Sequence, residues 1–417
     1  SGFGREGSVD WQTGSIKTAA TFTAASGEGY FVDTSSNAIT VNLPAGSAGA
    51  IVAFSDYARN FATNALTISP NGSEKIGGEA NDALANVNGQ ALTLVYVDST
   101  KGWINVQNAE DTETGNPPFI SATGGTVTCS GNCRIHTFTG PGTFAVTNIS
   151  PTPANNEVSY LVVAGGGGGG NYGGGGGGGG FREDKSPVTP YTASPLDGAG
   201  SKSVTVANFP VVVGGGGART ECVCGSVIGN PGNASSVFCI QSAGGGGGGG
   251  NSPAASGPHS GLSGGSGGGS SNQNSTGSAG NGNTPPVSPS QGQNGGTAGG
   301  SAGPNRAGGG GGATAVGGNG SGGGSSGGGG AGATTSINAS PTSFSGGGGG
   351  GAGQPSIGGA GSPCGTGKPG APNANADKTG AANTGGGGGG GNNSSPSACR
   401  GGGAGGSGIV IIRYKIA

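Results

Sequence analysis

The sequence predicts an all-β protein with essentially no α-helix: an N-terminal sandwich or barrel, a small β segment, and a glycine-rich bundle of polyproline-II (polyglycine-II) helices. Three observations predict it. Short apolar runs alternate with polar residues over the first quarter of the chain, with no competing helical period. Glycine supplies 108 of 417 residues, and most of them fall in one tract. That tract is bracketed by two strand-like apolar runs, residues 160–164 and 409–414.

The N-terminal runs lie at residues 29–32, 39–43, 51–54, 66–68, 92–97 and 103–106, punctuated by turn clusters such as Asn71-Gly72-Ser73 and residues 98–102. This spacing assigns residues 1–107 to one all-β module, with Trp11, Phe31, Phe54, Tyr57, Tyr96 and Trp103 as expected core. Residues 108–118, acidic and ending in Pro117-Pro118, read as a linker. A small β segment follows over 119–163. Its alternation places Ile135, Thr137 and Thr139 on one face and His136 and Phe138 on the other, so His136 reads as a half-buried strand residue.

Only 8% of residues are charged and the net charge is -2, which gives neither a basic field for nucleic acid nor a polybasic patch for anionic lipid. No apolar run reaches the roughly 18 residues of a membrane-spanning helix. The seven cysteines are Cys129, Cys133, Cys222, Cys224, Cys239, Cys364 and Cys399. All are disulfide candidates, the odd number leaves at least one unpaired within the chain, and Cys129 and Cys133 could close a tight loop if their β-carbons face each other. Cys222, Cys224, Cys239 and His259 match no common zinc spacing, so no metal is expected. Nor is any cofactor, because no helix follows a glycine run as a phosphate-binding loop requires. Asp10, Asp33, Asp56 and Asp98 lie beside turns, where aspartate caps backbone N–H groups, and no paired carboxylate or Ser/His arrangement argues for catalysis.

The tract at 164–408 has runs at 165–170, 173–180, 214–217, 244–250, 308–312, 327–330, 346–351 and 385–391. Glycine does not recur at every third residue, which excludes a collagen helix. Gly/Ser-rich sequence ordinarily makes a flexible linker. A strand returning at 409–417 argues instead for an ordered lattice, in which polyproline-II helices carry glycine at their contacts and hydrogen-bond one another. Residues 204–206 and 211–213 are expected to join the bracketing strands in a β base.

Two resemblances become specific at this point. The pattern Gly4-Arg5-Glu6-Gly7-Ser8-Val9-Asp10-Trp11, with Gly29-Tyr30-Phe31-Val32, Val52-Ala53-Phe54-Ser55-Asp56-Tyr57 and Tyr96-Val97-Asp98-Ser99-Thr100-Lys101-Gly102-Trp103, resembles an N-terminal module of structural and tail-fibre-like proteins of tailed phages, cyanophages among them. His136-Thr137-Phe138-Thr139-Gly140-Pro141-Gly142, Tyr160-Leu161-Val162-Val163-Ala164-Gly165 and the ending Gly408-Ile409-Val410-Ile411-Ile412-Arg413-Tyr414 resemble a glycine-rich domain family of phage fibres and bacterial surface proteins. In composition and layout the tract is similar to the adhesins that cap the long tail fibres of T-even-like phages. The resemblances imply a virion-surface or extracellular structural protein: an attachment or oligomerisation module at 1–107, and a fibre-like adhesin whose bundle-end loops bind a host-surface glycan or protein. Phe181, Arg182, Lys185, Tyr191 and Arg219 are the receptor-contact candidates, since aromatic and arginine side chains give the most binding energy per residue. The alternative is a filament or virion decoration of copies of this chain, joined by exchange of strands such as 409–414.

Overall fold

Period-two patterning commits the first hundred residues to strands, and the strands sort into two layers. A computed structural model of the chain describes residues 9–107, 119–198, 200–220, 227–250, 260–271, 277–299, 306–321, 324–353, 356–370, 378–391 and 401–417. The linker at 108–118, Cys222, Cys224, Cys399 and His259 lie outside the described residues. The chain forms two compact units, residues 1–121 with 148–155 and residues 122–147 with 156–417. The small β segment thus belongs largely with the glycine tract.

The first unit carries β1 (Asp10–Trp11), β2 (Thr21–Thr23), β3 (Glu28–Val32), β4 (Ile39–Asn42), β5 (Ile51–Asp56), β6 (Leu66–Ser69), β7 (Ala83–Ala85), β8 (Ala91–Asp98) and β9 (Gly102–Asn105). Strands β1, β3 and β5 pair in parallel in one sheet and β2, β4 and β6 in parallel in the other, so the chain winds back and forth between layers before β7, β8 and β9 close them antiparallel. Tyr30, Val32, Val52, Phe54, Leu92, Leu94 and Trp103 from one layer meet Ile39, Val41, Leu66 and Ile68 from the other in a single buried core. The expected core is corrected at three positions, the first being Phe31, which lies on the face of β3 away from the core, half-buried against Trp11. Trp11, on the edge strand, is 37% exposed and Tyr57, just past β5, is 56% exposed. Three of the four aspartates cap turns as expected: Asp33 Oδ1 accepts from Ser35 N–H, Asp98 Oδ1 from Thr100 and Lys101 N–H, and the buried Asp56 from Asn60, Phe61 and Gly89 N–H, whereas Asp10 sits on β1 and its carboxylate accepts from the Gln12 side chain instead.

The second unit is a sheet from which the glycine lattice grows. Its strands are β10 (Ser121–Thr123), β11 (Thr126–Ser130), β12 (Cys133–Phe138), β13 (Gly142–Asn148), β14 (Glu157–Val163), β15 (Phe181–Asp184), β16 (Lys202–Ser203), β17 (Ala207–Val211), β18 (Ser235–Val237), β19 (Ile240–Ser242), β20 (Ala333–Thr335), β21 (Thr342–Phe344) and β22 (Ile409–Lys415). The main sheet runs β11-β12-β22-β14-β15, with β16 also on β14. The bracketing runs are therefore neighbours: Leu161 lies opposite Ile411 and Val163 opposite Ile409. The expected base is corrected in both added segments: residues 204–206 fall between β16 and β17, and Val211 ends β17, which pairs with β13 in a separate sheet instead of with the bracketing strands.

Each sheet face has its own core. Ile135, Leu161, Val163, Phe181, Ile409 and Ile411 pack with Ile337 and Phe344 of the β20–β21 hairpin region on one face. On the other, His136, Phe144, Phe209, Phe238 and Tyr414 form an aromatic cluster with ring centroids 5.0 to 6.5 Å apart. His136 is fully buried. Its Nδ1 lies 2.7 Å from the Gly124 carbonyl, which can only accept, so Nδ1 carries the hydrogen and Nε2 accepts from the Tyr414 hydroxyl at 3.1 Å. Burial, then the nearby Arg134 charge, lowers its pKa and keeps the ring neutral.

Beyond the sheet, hydrogen bonding steps by three. In residues 165–171, Gly165, Gly168 and Asn171 donate to Asn233, Asn230 and Val227; Gly166 and Gly169 donate to Gly406 and Gly403; Gly167 and Gly170 donate to Gly177 and Gly174. The carbonyls of Gly165 and Gly168 accept from Gly245 and Gly248, those of Gly167 and Gly170 from Gly388 and Gly391, and that of Gly166 from Gly217. A helix with three residues per turn and no internal hydrogen bonds gives this pattern: each third residue faces the same neighbour, and one helix touches six. The packing leaves no room for side chains. A methyl group on Gly176 would run into the Gly167 carbonyl, well inside van der Waals contact, whereas one on the exposed Gly215 would meet only Asn233 Nδ2 at 3.7 Å.

That contrast sets a stability test. Gly176→Ala is expected to destabilise the chain by about 1–3 kcal/mol or more, as overpacking of a rigid interior does. Gly215→Ala should stay within about 0.5 kcal/mol, like other surface changes. Equal shifts in chemical denaturation would contradict glycine-specified packing.

Candidate functional site

The lattice has two unlike ends. At the sheet end, Ala164 N–H donates to Gly180, Gly180 to Ala243, Gly179 to Gly385 and Gly385 to Ser407, and connections such as the β20–β21 hairpin and residues 382–385 are compact. At the opposite end, Gly170 donates to Gly174, Gly174 to Gly249, Gly249 to Gly269, Gly391 to Gly170 and Gly351 to Gly173, forming one layer of backbone. Thr220, Gly250, Ser271 and Ser326 join this layer through their own hydrogen bonds, Thr220 to the Gly169 carbonyl, Ser271 to the Gly250 carbonyl and Ser326 to the Gly351 carbonyl.

The receptor-contact candidates divide between these ends. Arg219 is exposed on the segment 214–220, beside Thr220, whose hydroxyl bonds the Gly169 carbonyl near the far layer. The other four lie at the sheet end, where 181–184 is a strand rather than a loop. Pairing with β14 and alternation send Phe181 and Glu183 to one face and Arg182 and Asp184 to the other. Phe181 is 1% exposed within the core, which takes its ring out of reach of a receptor. Tyr191 is likewise held inward: its ring lies under the Arg413 guanidinium, 5.3 Å away, and the Lys185 ammonium, 5.5 Å away. Sequence reading missed this because glycine on the N-terminal side and proline on the C-terminal side of the segment resemble loop punctuation.

Glu183 was not among the candidates, and it organises this end. Its Oε1 accepts from the Thr335 hydroxyl at 2.5 Å and its Oε2 from Ser194 N–H at 2.9 Å, tying both the β20–β21 hairpin and residues 186–197 to β15. Arg413 on β22 donates to the Pro190 and Ile337 carbonyls. Burial raises the pKa of Glu183 against the pull of these hydrogen bonds, and burial with the Glu183 charge pushes the Tyr191 hydroxyl far up.

On the other face of β15 lies a polar cavity of about 110 Å³, lined by Tyr160, Arg182, Asp184, Gly198, Ser288 and Pro289 among others. Asp184 Oδ2 accepts from the Tyr160 hydroxyl, whose pKa is driven up by burial and then by this carboxylate.

The disulfide candidates that are described, Cys129, Cys133, Cys239 and Cys364, are all free thiols. Cys129 lies opposite Arg134 and Cys133 opposite Ser130, so β-pleating turns the two side chains to opposite faces and the expected tight bridge does not form. Burial alone raises the Cys364 thiol, but hydrogen bonds with Ser362, Thr366 and the Gly332 N–H outweigh it and the net direction is down. No group of three or more His, Cys, Asp or Glu with metal-binding geometry occurs among the described residues.

Fold and lattice together define an all-β protein whose second unit is cored by hydrogen-bonded glycine helices. Residues 137–415 match the profile of the glycine-rich domain, and the chain belongs to that family. No curated protein matches the chain.

Two predictions follow from this geometry. In the native chain, Cys129 and Cys239, both exposed, should react promptly with a thiol reagent and the buried Cys133 only on unfolding; equal rates for Cys129 and Cys133 would contradict the β11–β12 register. Glu183 has a folded pKa above its unfolded one, so its contribution to stability is fully present in acid and is lost as pH rises through the folded value. Glu183→Gln keeps an acceptor for Ser194 and a donor for Thr335. Its melting temperature should gain on the parent as pH rises from acid to neutral, and a pH-independent difference would contradict the assignment.

Proposed function

We propose that this chain is a virion-surface structural protein of a tailed phage, a tail-fibre-like adhesin that binds a host-surface glycan or protein at the end of the glycine bundle remote from the sheet. The observation that supports this reading is the sidedness of the lattice. Its sheet end is closed by strands and compact turns, while at the far end Thr220, Gly250, Ser271 and Gly391 stand at a layer of hydrogen-bonded backbone, each followed in the sequence by a segment of mixed composition. A rigid scaffold that presents many chain connections side by side suits recognition, because the connections vary in sequence without disturbing the core. Their sequences carry contact chemistry: Glu221-Cys222-Val223-Cys224 beside Arg219, Pro258-His259, Asn272-Gln273-Asn274 and Ala398-Cys399-Arg400. The N-terminal unit serves as the attachment or oligomerisation module.

A second reading, a self-assembling filament or decoration subunit, draws on the edge strand β11, which lies at the end of the sheet order and leaves Val127 46% exposed. Against it, the strand expected to exchange between copies, β22, is paired on both sides, by β12 and β14, within one chain.

An array of bacterial surface glycans and intact cells, probed with the full-length chain, tests the adhesin reading. Selective binding is expected, with loss or altered selectivity when residues 251–259 or 392–400 are replaced by Gly/Ser of equal length and the melting temperature is unchanged. No binding to any target, together with regular filaments under the electron microscope, would replace it with the second reading.

A further inference from the structure

The cavity on β15 presents two charged groups of opposite kind, both partly exposed. Alternation puts Arg182 and Asp184 on the same face, two residues apart. The Arg182 guanidinium, a donor only, makes no hydrogen bond among the described residues, and neither does Asp184 Oδ1, an acceptor only. The Tyr160 hydroxyl fixes the other carboxylate oxygen and so aims Oδ1. A glycine at 198 is needed here: any β-carbon would collide with Asp184 Oδ1.

The opposite wall is preorganised. Asn283 Oδ1 accepts from Val287 N–H at 3.0 Å and Gln291 N–H at 3.3 Å, Gln291 Nε2 donates to the Pro285 carbonyl, and Gln291 Oε1 accepts from Ala243 N–H. Phe181 N–H on β15 donates to the Gln291 carbonyl at 2.9 Å, so the loop bearing Ser288 and Pro289 is locked to the strand. Little ordering is left for a ligand to impose.

We propose that this cavity binds one neutral sugar residue through two adjacent hydroxyl groups, one accepting from Arg182 and the other donating to Asp184. An anion would satisfy Arg182 but face the Asp184 charge, and a cation would meet the reverse. A vicinal diol offers an acceptor and a donor on neighbouring atoms, which suits a cavity whose lining is almost entirely polar. A volume of about 110 Å³ admits one edge of a sugar ring and no oligosaccharide. The site lies at the sheet end, so it is independent of receptor binding at the far end.

Ligand-observed NMR of the full chain with glucose, galactose and mannose, and with glucuronate and inorganic phosphate as anionic controls, tests the site. At least one neutral hexose should bind. Arg182→Ala and Asp184→Asn should each weaken it by about tenfold or more, the scale of a hydrogen bond to a charged group. Ser288→Phe, which fills the cavity from the loop without altering β15, should abolish binding, and it decides the matter if either strand variant melts early. No hexose binding, binding of the anions alone, or hexose binding unchanged in Ser288→Phe would each overturn the proposal.

Discussion

Everything in the second unit depends on one steric condition: two backbones can hydrogen-bond side by side, helix against helix, only where neither carries a β-carbon at the contact. Glycine usually weakens structure, because it buries no side chain and loses the most backbone freedom on folding. Here the missing side chain is the enabling feature. Segment 165–171 reaches six neighbours because each residue in a turn of three faces a different pair of them. Backbone N–H and C=O groups, which elsewhere must be hidden in a ladder, become the interior itself.

Such an interior cannot start itself, since identical glycine runs give the chain no reason to prefer one partner over another. The sheet supplies the boundary. β14 leads into residues 165–171, β15 receives residues 173–180, and β22 receives residues 401–408, so three helices are placed in register by strands with apolar cores on both faces. Glu183 and Arg413 add to this. Each is buried on the same face and tied to carbonyl, amide or hydroxyl groups of the covering segments, so that removing either would leave its partners unpaired in a dry region.

The division of labour between the ends follows from the same physics. At the sheet end polar groups are fixed by neighbours distant in sequence, which makes a small rigid cavity possible. At the far end, a layer of backbone hydrogen bonds fixes the positions of Gly170, Gly174, Gly249, Gly269 and Gly391. The first is suited to a small ligand of defined hydrogen-bonding pattern.

The sequence by itself determined the element types: period-two strands in the first unit, the two faces of β12, the paired bracketing strands, and a glycine tract that could be ordered only as helices packed through glycine. Tertiary structure alone decided the parallel winding of the first unit, the neighbours of each glycine run, and the site. Leu161 and Ile411 announce strands through their own side chains, whereas Gly167 and Gly246 are indistinguishable until turns and strand anchors place them. Arg182 and Asp184 become a pair facing a cavity because Phe181 opposes Val163, and because a loop a hundred residues later is pinned there through Gln291. A glycine run carries no side-chain information about its partner, so the register that brings those residues together exists only in the folded lattice.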